Sequence, residues 1–569
     1  MKTNLFKRAA YLMLAAGFVL TSCSDDNLND KDGPDGPEYE KGYISLAIFN
    51  NSANGIATKA YGDLTYGTAE EGKLTKAVVV LYDAVTNVVS YQWILDNPDQ
   101  NEDYEEIIND GNPTSPYPNK YKTQARQVEL KAYKLAVFLN PPQALLDVTK
   151  DAASGSASTL AQMLAEVENV TVAQLTESTA DTKDYFLMGN FAGLVNVSID
   201  DIYPTEDEAE TNAVELQVER AVAKLVFTST IVDNFVSTDL GATFTGLAWV
   251  PDVINQKTYW MRKQTQMLAA AAGTPGTPTP TVMEPLNIKG TQANRRLMYA
   301  EDPNFTGTTR AGWDGTGAQP TQNDLNENYK YIGDPADIDL DPSVAANQVV
   351  YVTENTMRAE EQWEDVTTSV LIKVNIQPNG STFANTTPVT GGYYVYMDDV
   401  NAPHVFLVSE LNTIASITTD TDPITVNGVG TTWGALVALE ANRYLIDLKT
   451  LLATTEAQNA IFNNAFTSWA NAPTASSATA NGNLRYFAAG MNFYRVPIRH
   501  FNDALQPVNF QYGRYGVVRN NVYMLTLTAI RNYGDVEIPK PENPDDKESW
   551  LSIYFEILPW MERGQVIEL

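Results

Sequence analysis

The sequence is poor in the residues that build disulfide frameworks and metal centres. Its 569 residues include one cysteine, Cys23, and two histidines, His404 and His500. A single cysteine excludes an intrachain disulfide and a zinc site made from several cysteines. Two histidines leave little material for a histidine metal site or a charge relay. These shortages favour a binding or structural protein, and we expect no metal and no cofactor.

Positively charged residues are also scarce. The chain has 38 Lys and Arg against 70 Asp and Glu, which gives a formal net charge of −32. A nucleic-acid-binding protein needs clustered Lys and Arg to displace the counterions of the phosphates, so this balance argues against a nucleic-acid partner. Apolar residues make up 44% of the chain, which is too much for a wholly disordered protein. At roughly 100–200 residues per domain, the length allows several folded domains.

The common catalytic motifs are missing from the sequence. It contains no GxSxG, HExxH, GxxxxGK[ST] or GxGxxG pattern. His500 follows an alternating, strand-like run (FYRVPIR), where a hydrogen-bonded or exposed histidine is a simpler interpretation than a general base. We therefore predict no catalytic residues and no enzymatic activity.

The longest apolar run at the N-terminus is too short to span a membrane. Three basic residues in the first eight precede the twelve residues Ala9–Leu20, whereas a membrane-spanning helix needs about 20. The run ends in Leu20–Cys23 (LTSC), which resembles a bacterial lipobox. We predict a signal peptide over residues 1–22 and lipidation of Cys23, which would hold the precursor on a membrane.

The body of the chain has the pattern of short β-strands. Two-residue alternation recurs between Gly, Pro, Asn and Asp clusters, and it is typical of antiparallel sheets. The runs are Tyr43–Phe49, Ala77–Tyr82, Lys134–Leu139, Val214–Phe227, Ser369–Ile376, Gly392–Met397 and Val522–Ile530. A helical period appears in Ser158–Val167 and in part of Trp433–Phe466. The sequence therefore predicts an all-β protein with minor helices, built from β-sandwiches.

The first predicted strand is followed by a possible protease site. In Tyr43–Phe49 the alternation places Ile44, Leu46 and Ile48 on one face. Shortly afterwards Lys59 precedes Ala60 in a polar stretch, where a trypsin-like protease could cut and free the strand. The alternative is that Lys59 is one surface lysine among many.

The C-terminus also ends in strand-forming residues. In Trp550–Leu558 the alternation places Leu551, Ile553, Phe555 and Ile557 on one face, and Pro559 then interrupts the ladder because it has no N–H. The last ten residues, which include Trp560, Val566, Ile567 and Leu569, could form a further strand. Exposed apolar strands pair with neighbouring chains unless they are covered, so this end is a candidate interface.

These segments resemble a known family. Gly516–Ile530 (GVVRNNVYMLTLTAI), followed by Phe555–Trp560 (FEILPW), is similar to the C-terminal signature of the Bacteroidales fimbrillins, the FimA/Mfa-type subunits of type V pili. Gln217–Phe227 (QVERAVAKLVF) resembles the segment that joins the two domains in that family, and Tyr133–Asn140 resembles a strand of its N-terminal domain. The lipobox, the first strand and the basic-residue site fall in family order.

The resemblance implies a fold and a division of the chain. It implies two transthyretin-like Greek-key β-sandwich domains that meet near Glu215. The expected segments are a signal peptide at 1–22, a tether and removable strand at 23–59, an N-terminal domain at 60–215, a C-terminal domain at 216–549 and a donor segment at 550–569.

The resemblance also implies an activity and partners. The precursor would be an outer-membrane lipoprotein, and a trypsin-like protease would cut after Lys59, although the family is commonly cut after Arg. The donor segment of another copy would fill the vacated groove, which gives a head-to-tail homopolymer in extracellular, adhesive fimbriae. Accessory tip and anchor pilins are the other expected partners. The alternatives are an anchor or tip pilin, a glycan-binding surface lipoprotein of the SusD or SusE kind, and a surface hydrolase.

Overall fold

The structure is a computed structural model, and it describes part of the chain. The described residues are 41–50, 71, 74–96, 104–107, 120–176, 186–191, 193–263, 268–270, 278–280, 300–305, 325–357, 362–379, 392–397, 403–426, 429–453, 484–500, 515–539 and 561–568. The chain divides into two compact units, residues 1–41 and residues 42–569. The description below concerns the second unit.

Eleven of the described strands lie in the first 220 residues. They are β1 Lys41–Ile44, β2 Leu46–Asn50, β3 Lys76–Asp83, β4 Val89–Asp96, β5 Tyr104–Ile107, β6 Lys120–Thr123, β7 Arg126–Glu129, β8 Tyr133–Leu139, β9 Met188–Asn190, β10 Val195–Val197 and β11 Val214–Arg220. Nine of them form one sheet in the order β4-β3-β8-β9-β11-β2-β6-β5, with β10 paired to β8, and β1 pairs with β7.

The strands of this region bury one continuous hydrophobic cluster, the N-terminal core. It runs from Ile44 to Val222 and also takes in Trp260 and Met261. The central strand β3 (KAVVVLYD) has six successive buried residues. A run of this kind is typical of a strand that is covered on both faces.

The remaining strands follow residue 221. They are β12 Val222–Ser229, β13 Phe235–Ser237, β14 Ala242–Asp252, β15 Ile254–Asn255, β16 Leu268–Ala270, β17 Pro278–Pro280, β18 Tyr329–Lys330, β19 Val349–Thr353, β20 Ser369–Pro378, β21 Tyr393–Tyr396, β22 His404–Phe406, β23 Pro423–Val426, β24 Val429–Thr432, β25 Leu484–Phe487, β26 Met491–Pro497, β27 Asn521–Ala529 and β28 Met561–Glu568.

Two four-stranded sheets of this region face each other. Their orders are β19-β12-β27-β28 and β13-β14-β20-β26. Both contribute to a second cluster, the C-terminal core, which holds residues such as Phe227 from β12, Trp249 from β14 and Leu525 from β27. Side chains of two sheets that share one core define a β-sandwich.

The described α-helices are short. They are α1 Gln143–Asp147, α2 Leu160–Met163, α3 Val172–Thr176, α4 Glu206–Thr211, α5 Val408–Ser416, α6 Trp433–Val437 and α7 Tyr444–Leu452. The last three pack with the small sheet β22-β21-β25 into a third cluster, the insert core, which spans Tyr394–Tyr486. In the described part of the chain, none of the helices combines the length and the apolar character that crossing a bilayer requires.

The predicted all-β class with minor helices and sandwich packing is confirmed. The predicted run Val214–Phe227 is two strands, β11 and β12, because the chain passes from the N-terminal core to the C-terminal core at residues 222 and 223. The helix expected over Ser158–Val167 is limited to α2, where Thr159 and Gln162 form a capping box.

Candidate functional site

The strand β2 occupies an interior place in the nine-stranded sheet. It runs parallel to β11, with Leu46 opposite Val214 and Asn50 opposite Val218. On its other side it runs antiparallel to β6, where Ile48 lies opposite Tyr121. We call the path of residues 44–50 between β11 and β6 the strand slot. Because neighbouring strands lie about 4.8 Å apart, an emptied slot would leave two unpaired edges about 10 Å apart.

One face of the slot is filled by large apolar side chains. Ile44, Leu46 and Ile48 are 1%, 0% and 1% exposed, and all three belong to the N-terminal core. Full burial of such a side chain is worth about 1.5–3 kcal/mol. The three residues that the sequence predicts for the removable strand therefore carry a large share of the contact that holds this segment in place.

The opposite face of the slot accepts small side chains. Ser45 and Ala47 are 1% and 4% exposed. The Ser45 hydroxyl donates a hydrogen bond of 2.6 Å to the carbonyl oxygen of Thr123, and the Thr123 hydroxyl accepts one of 2.9 Å from the Leu46 N–H. The Val214 N–H donates to the Ser45 carbonyl oxygen at 2.9 Å. The slot thus holds large apolar side chains on one face and small side chains on the other, and it makes specific polar contacts at residue 45.

At the other end of the chain, β28 is paired to its own molecule. It runs parallel to β27, with Val566 opposite Thr526 and Ile567 opposite Leu527. Parallel pairing satisfies the backbone groups of β28 along one edge. The other predicted donor residues lie outside the described residues: Leu551, Ile553, Phe555, Ile557, Trp560 and Leu569.

The predicted maturation residues also lie outside the described part of the chain. These are Cys23, Lys59 and Ala60. The first described residue after them is Glu71, which is buried. Its carboxylate forms an ion pair of 2.6 Å with the Lys224 ammonium group and accepts a hydrogen bond from the Tyr351 hydroxyl, while its carbonyl oxygen accepts one from Arg220.

Glu71 is ionised in this setting. Burial alone would raise its pKa, but the Lys224 ammonium group and the hydrogen bonds from Lys224 and Tyr351 outweigh burial and hold the pKa below its ordinary value. At Glu71 the chain that follows the predicted cut is therefore held to β12 by the ion pair with Lys224 and to β19 by the hydrogen bond from Tyr351.

Two buried ion pairs near the end of β11 were not expected from the sequence. The Arg262 guanidinium donates hydrogen bonds to both carboxylate oxygens of Glu219, at 2.5 Å each. The Arg519 Nε lies 2.8 Å from a carboxylate oxygen of Glu354. The one signal that could have found them is a charged residue inside an apolar run, as in VERAV and VVRNN. Their partners are 43 and 165 residues away in the chain, and nothing local identifies them.

The described residues hold neither a catalytic constellation that we recognise nor a metal cluster. No group of three or more His, Cys, Asp or Glu side chains in the described ranges is close enough to bind a metal. His500 is buried, and its Nδ1 lies 2.7 Å from the Tyr523 hydroxyl, which also accepts a hydrogen bond from the Val518 N–H. This arrangement makes His500 a hydrogen-bonded residue of the core.

A family model matches the C-terminal part of the chain. Residues 485–565 match the model described as major fimbrial subunit protein type IV, Fimbrillin, C-terminal. The match includes the segments Gly516–Ile530 and Phe555–Trp560 and confirms that the chain is of the fimbrillin type in this region. No curated protein matches the sequence.

Three solved structures show a distant likeness. A fimbrilin (FimA) from Porphyromonas gingivalis W83 is 10% identical over 92% of this chain and 96% of its own, with a TM-score of 0.31. The tip fimbrial protein Mfa3 from Porphyromonas gingivalis is 9% identical over 62% and 84%, with a TM-score of 0.24. A fimbrial assembly protein from Parabacteroides distasonis ATCC 8503 is 12% identical over 44% and 76%, with a TM-score of 0.24. These scores are low, and the assignment depends on the family model alone.

Proposed function

From the fimbrillin C-terminal region at residues 485–565, we propose that this chain is a stalk subunit of a surface fimbria. It is exported as a lipoprotein through Cys23 and matured by a trypsin-like protease after Lys59. It then polymerises by donor-strand exchange, in which residues 550–569 of one copy fill the strand slot of the next. Self-association of this kind is its activity, and adhesion by the fimbria is the outcome.

The observation that supports this proposal most directly is the interior position of β2. Loss of a strand at the edge of a sheet would unpair only one neighbour. Loss of β2 would instead unpair both β11 and β6 and uncover the sites of three buried side chains. At about 1.5–3 kcal/mol for each, roughly 5–9 kcal/mol of apolar burial becomes available to an incoming strand. Strand addition restores both the burial and the two backbone ladders.

The topology also supports an open polymer. The slot lies against the N-terminal core, whereas the donor segment follows β27 of the C-terminal sandwich and includes β28, which pairs with β27. Because donor and acceptor are different surfaces of one chain, the contact is heterologous and does not close on itself. Repetition of the contact gives a filament.

Glu71 supports the proposed cut site. The chain is held at this residue by Lys224, Tyr351 and Arg220, so a cut at Lys59 would free the segment before it without loosening the core that follows.

The experiment that tests the proposal compares Lys59→Ala with wild type in the native host. N-terminal sequencing of fimbriae sheared from wild-type cells should give Ala60 as the first residue. The variant should give uncut, lipidated monomers and no high-mass ladder on gels. Lys41→Ala is the matched control, because it removes a lysine on the same side of the predicted cut and should leave the ladder unchanged. Normal fibres from Lys59→Ala would contradict the cut site.

A further inference from the structure

The N-terminal and C-terminal cores meet where β11 runs directly into β12. At this junction Val222 still belongs to the N-terminal core, and Ala223 already belongs to the C-terminal core. Two parts of a chain that are joined in this way move relative to each other unless an extensive contact holds them together. A fixed arrangement of the two cores therefore depends on contacts beyond the junction itself.

A second segment crosses from the C-terminal core to the N-terminal core. It follows β15, whose first residue packs against the C-terminal core, and we call its residues 256–263 the clasp. Trp260 and Met261 of the clasp are each 5% exposed and belong to the N-terminal core. The Thr258 N–H and carbonyl oxygen exchange hydrogen bonds of 3.0 and 2.8 Å with the backbone of Val167. The clasp is thus built into the N-terminal core, although the chain that leads to it packs on the C-terminal core.

Buried charges hold the clasp from both sides. On one side, Arg262 of the clasp donates hydrogen bonds to both carboxylate oxygens of Glu219 in β11. On the other side, Arg519, which lies just before β27, donates a hydrogen bond of 3.0 Å to the Tyr259 carbonyl oxygen and pairs with Glu354. All four charged residues are at most 4% exposed. The clasp is therefore bound both by the last strand of the N-terminal core and by the chain that enters β27 of the C-terminal core.

The buried charges make the position of the clasp discrete. A shift of the clasp by one residue would separate Arg262 from Glu219 and bury both charges without these partners, which is strongly unfavourable. The apolar contacts of Trp260 and Met261 are less selective, because the hydrophobic effect has no direction. The Arg262 guanidinium also donates to the carbonyl oxygen of Arg519 at 3.4 Å, so the two ion pairs are in direct contact.

We propose that the clasp locks the N-terminal and C-terminal cores into one rigid body, and that the buried ion pairs fix the single register of this lock. Apolar burial of Trp260 and Met261 holds the clasp in the N-terminal core, and the pair of Arg262 and Glu219 selects one position for it. The lock is a property of the single chain. It goes beyond the function proposed above, because it requires neither maturation nor assembly.

Pulsed electron paramagnetic resonance on the full-length chain tests the lock. Cys23→Ala removes the only native thiol, and Val85→Cys and Val344→Cys then place one spin label next to β3 and one before β19. These two valines are 89% and 46% exposed. The test variant adds Glu219→Leu with Arg262→Met, which removes both charges together and leaves the other ion pair in place. Replacement of a buried ion pair by apolar residues of similar volume often leaves stability unchanged.

The matched control removes a buried ion pair that does not involve the clasp. Asp252→Leu with Arg495→Met removes the pair between β14 and β26, two strands of the same sheet, where the charged atoms lie 2.6 Å apart. Hydrogen exchange of peptides from β3 and β27, read by mass spectrometry, checks that both cores stay folded in every variant.

The labelled chain with all ion pairs intact should give one narrow distance distribution, and the control should match it. The test variant should give a distribution about twice as wide or wider, with β3 and β27 still protected, because relative motion is the default once the lock is lost. An unchanged distribution in the test variant, equal broadening in the control, or a broad distribution with all ion pairs intact would overturn the proposal. If the test variant loses protection in either core, Glu219→Gln with Arg262→Gln, which keeps hydrogen-bonding groups at both positions, is measured by the same criteria.

Discussion

Two leucine-to-alanine substitutions, one in β2 and one in β11, distinguish the segment that maturation would remove from the part of the chain that would remain. Leu46 lies in β2, before the predicted cut, and Leu216 lies in β11, opposite Ile48 in the sheet. Both side chains are buried in the N-terminal core. Replacement of a buried leucine by alanine costs about 2–5 kcal/mol, because transfer free energy is lost and a cavity remains. The uncut Leu46→Ala and Leu216→Ala precursors should therefore lose similar stability.

Maturation should make the two variants differ. The Leu46→Ala change is removed with residues 1–59, so polymers of that variant should have wild-type stability. Leu216→Ala stays in the slot wall, and its polymers should remain weaker by about 2–5 kcal/mol. The two variants form a matched pair, since both remove the same atoms from the same core.

The assay has to report on the N-terminal core alone. A chain with several core clusters is not expected to unfold in one step, so a single unfolding midpoint is not sufficient. Pulsed hydrogen exchange of peptides from β3 and β8, read by mass spectrometry along a urea series, follows the cluster that both leucines share. Equal weakening of the two polymers would show that β2 is retained and would refute the exchange of strands.

Two further predictions concern Cys23, which lies before the predicted cut at Lys59, and Glu71, which lies after it. Cys23→Ala should abolish incorporation of radiolabelled fatty acid and surface delivery, while Ser22→Ala should preserve both; undiminished labelling would exclude lipidation at this residue. Glu71→Gln should destabilise the chain at about pH 7 by roughly 3–5 kcal/mol, because it removes the negative charge from the ion pair with the largely buried Lys224 ammonium group. Exposed Glu206→Gln is the control. Since the folded-state pKa of Glu71 lies below its ordinary value, the unfolded state binds more protons as the pH falls, so the difference from wild type should shrink toward about pH 3. Urea midpoints at the two pH values measure this, and a difference that grows on acidification would contradict it.

The fold was largely readable from local patterns, but the site was not. Alternation in Tyr43–Phe49 gives the face of Ile44, Leu46 and Ile48, because a pleated strand has a strict period of two. It does not reveal that β2 is an interior strand, since its partner β11 begins at Val214, more than 160 residues later in the chain. Nor does it reveal that the opposite face is buried as well, because Ser45 is polar and is accommodated only through Thr123.

Long-range charge pairing shows the same limit. Glu219 and Arg519 stand out in the sequence as charges inside apolar runs, which marks them as unusual. Burial of a charge requires a partner, and the partners Arg262 and Glu354 are supplied by distant segments that only the folded chain brings together.

The opposite orientations of the two neighbours of β2 have a consequence for any fibre made through the slot. A gap with one parallel and one antiparallel wall distinguishes the two directions of an incoming strand. A fibre assembled in this way has polarity, with every protomer oriented alike. Its two extremities then differ chemically, one ending in a vacant acceptor and the other in an unused tail, so a molecule that caps one end does not fit the other.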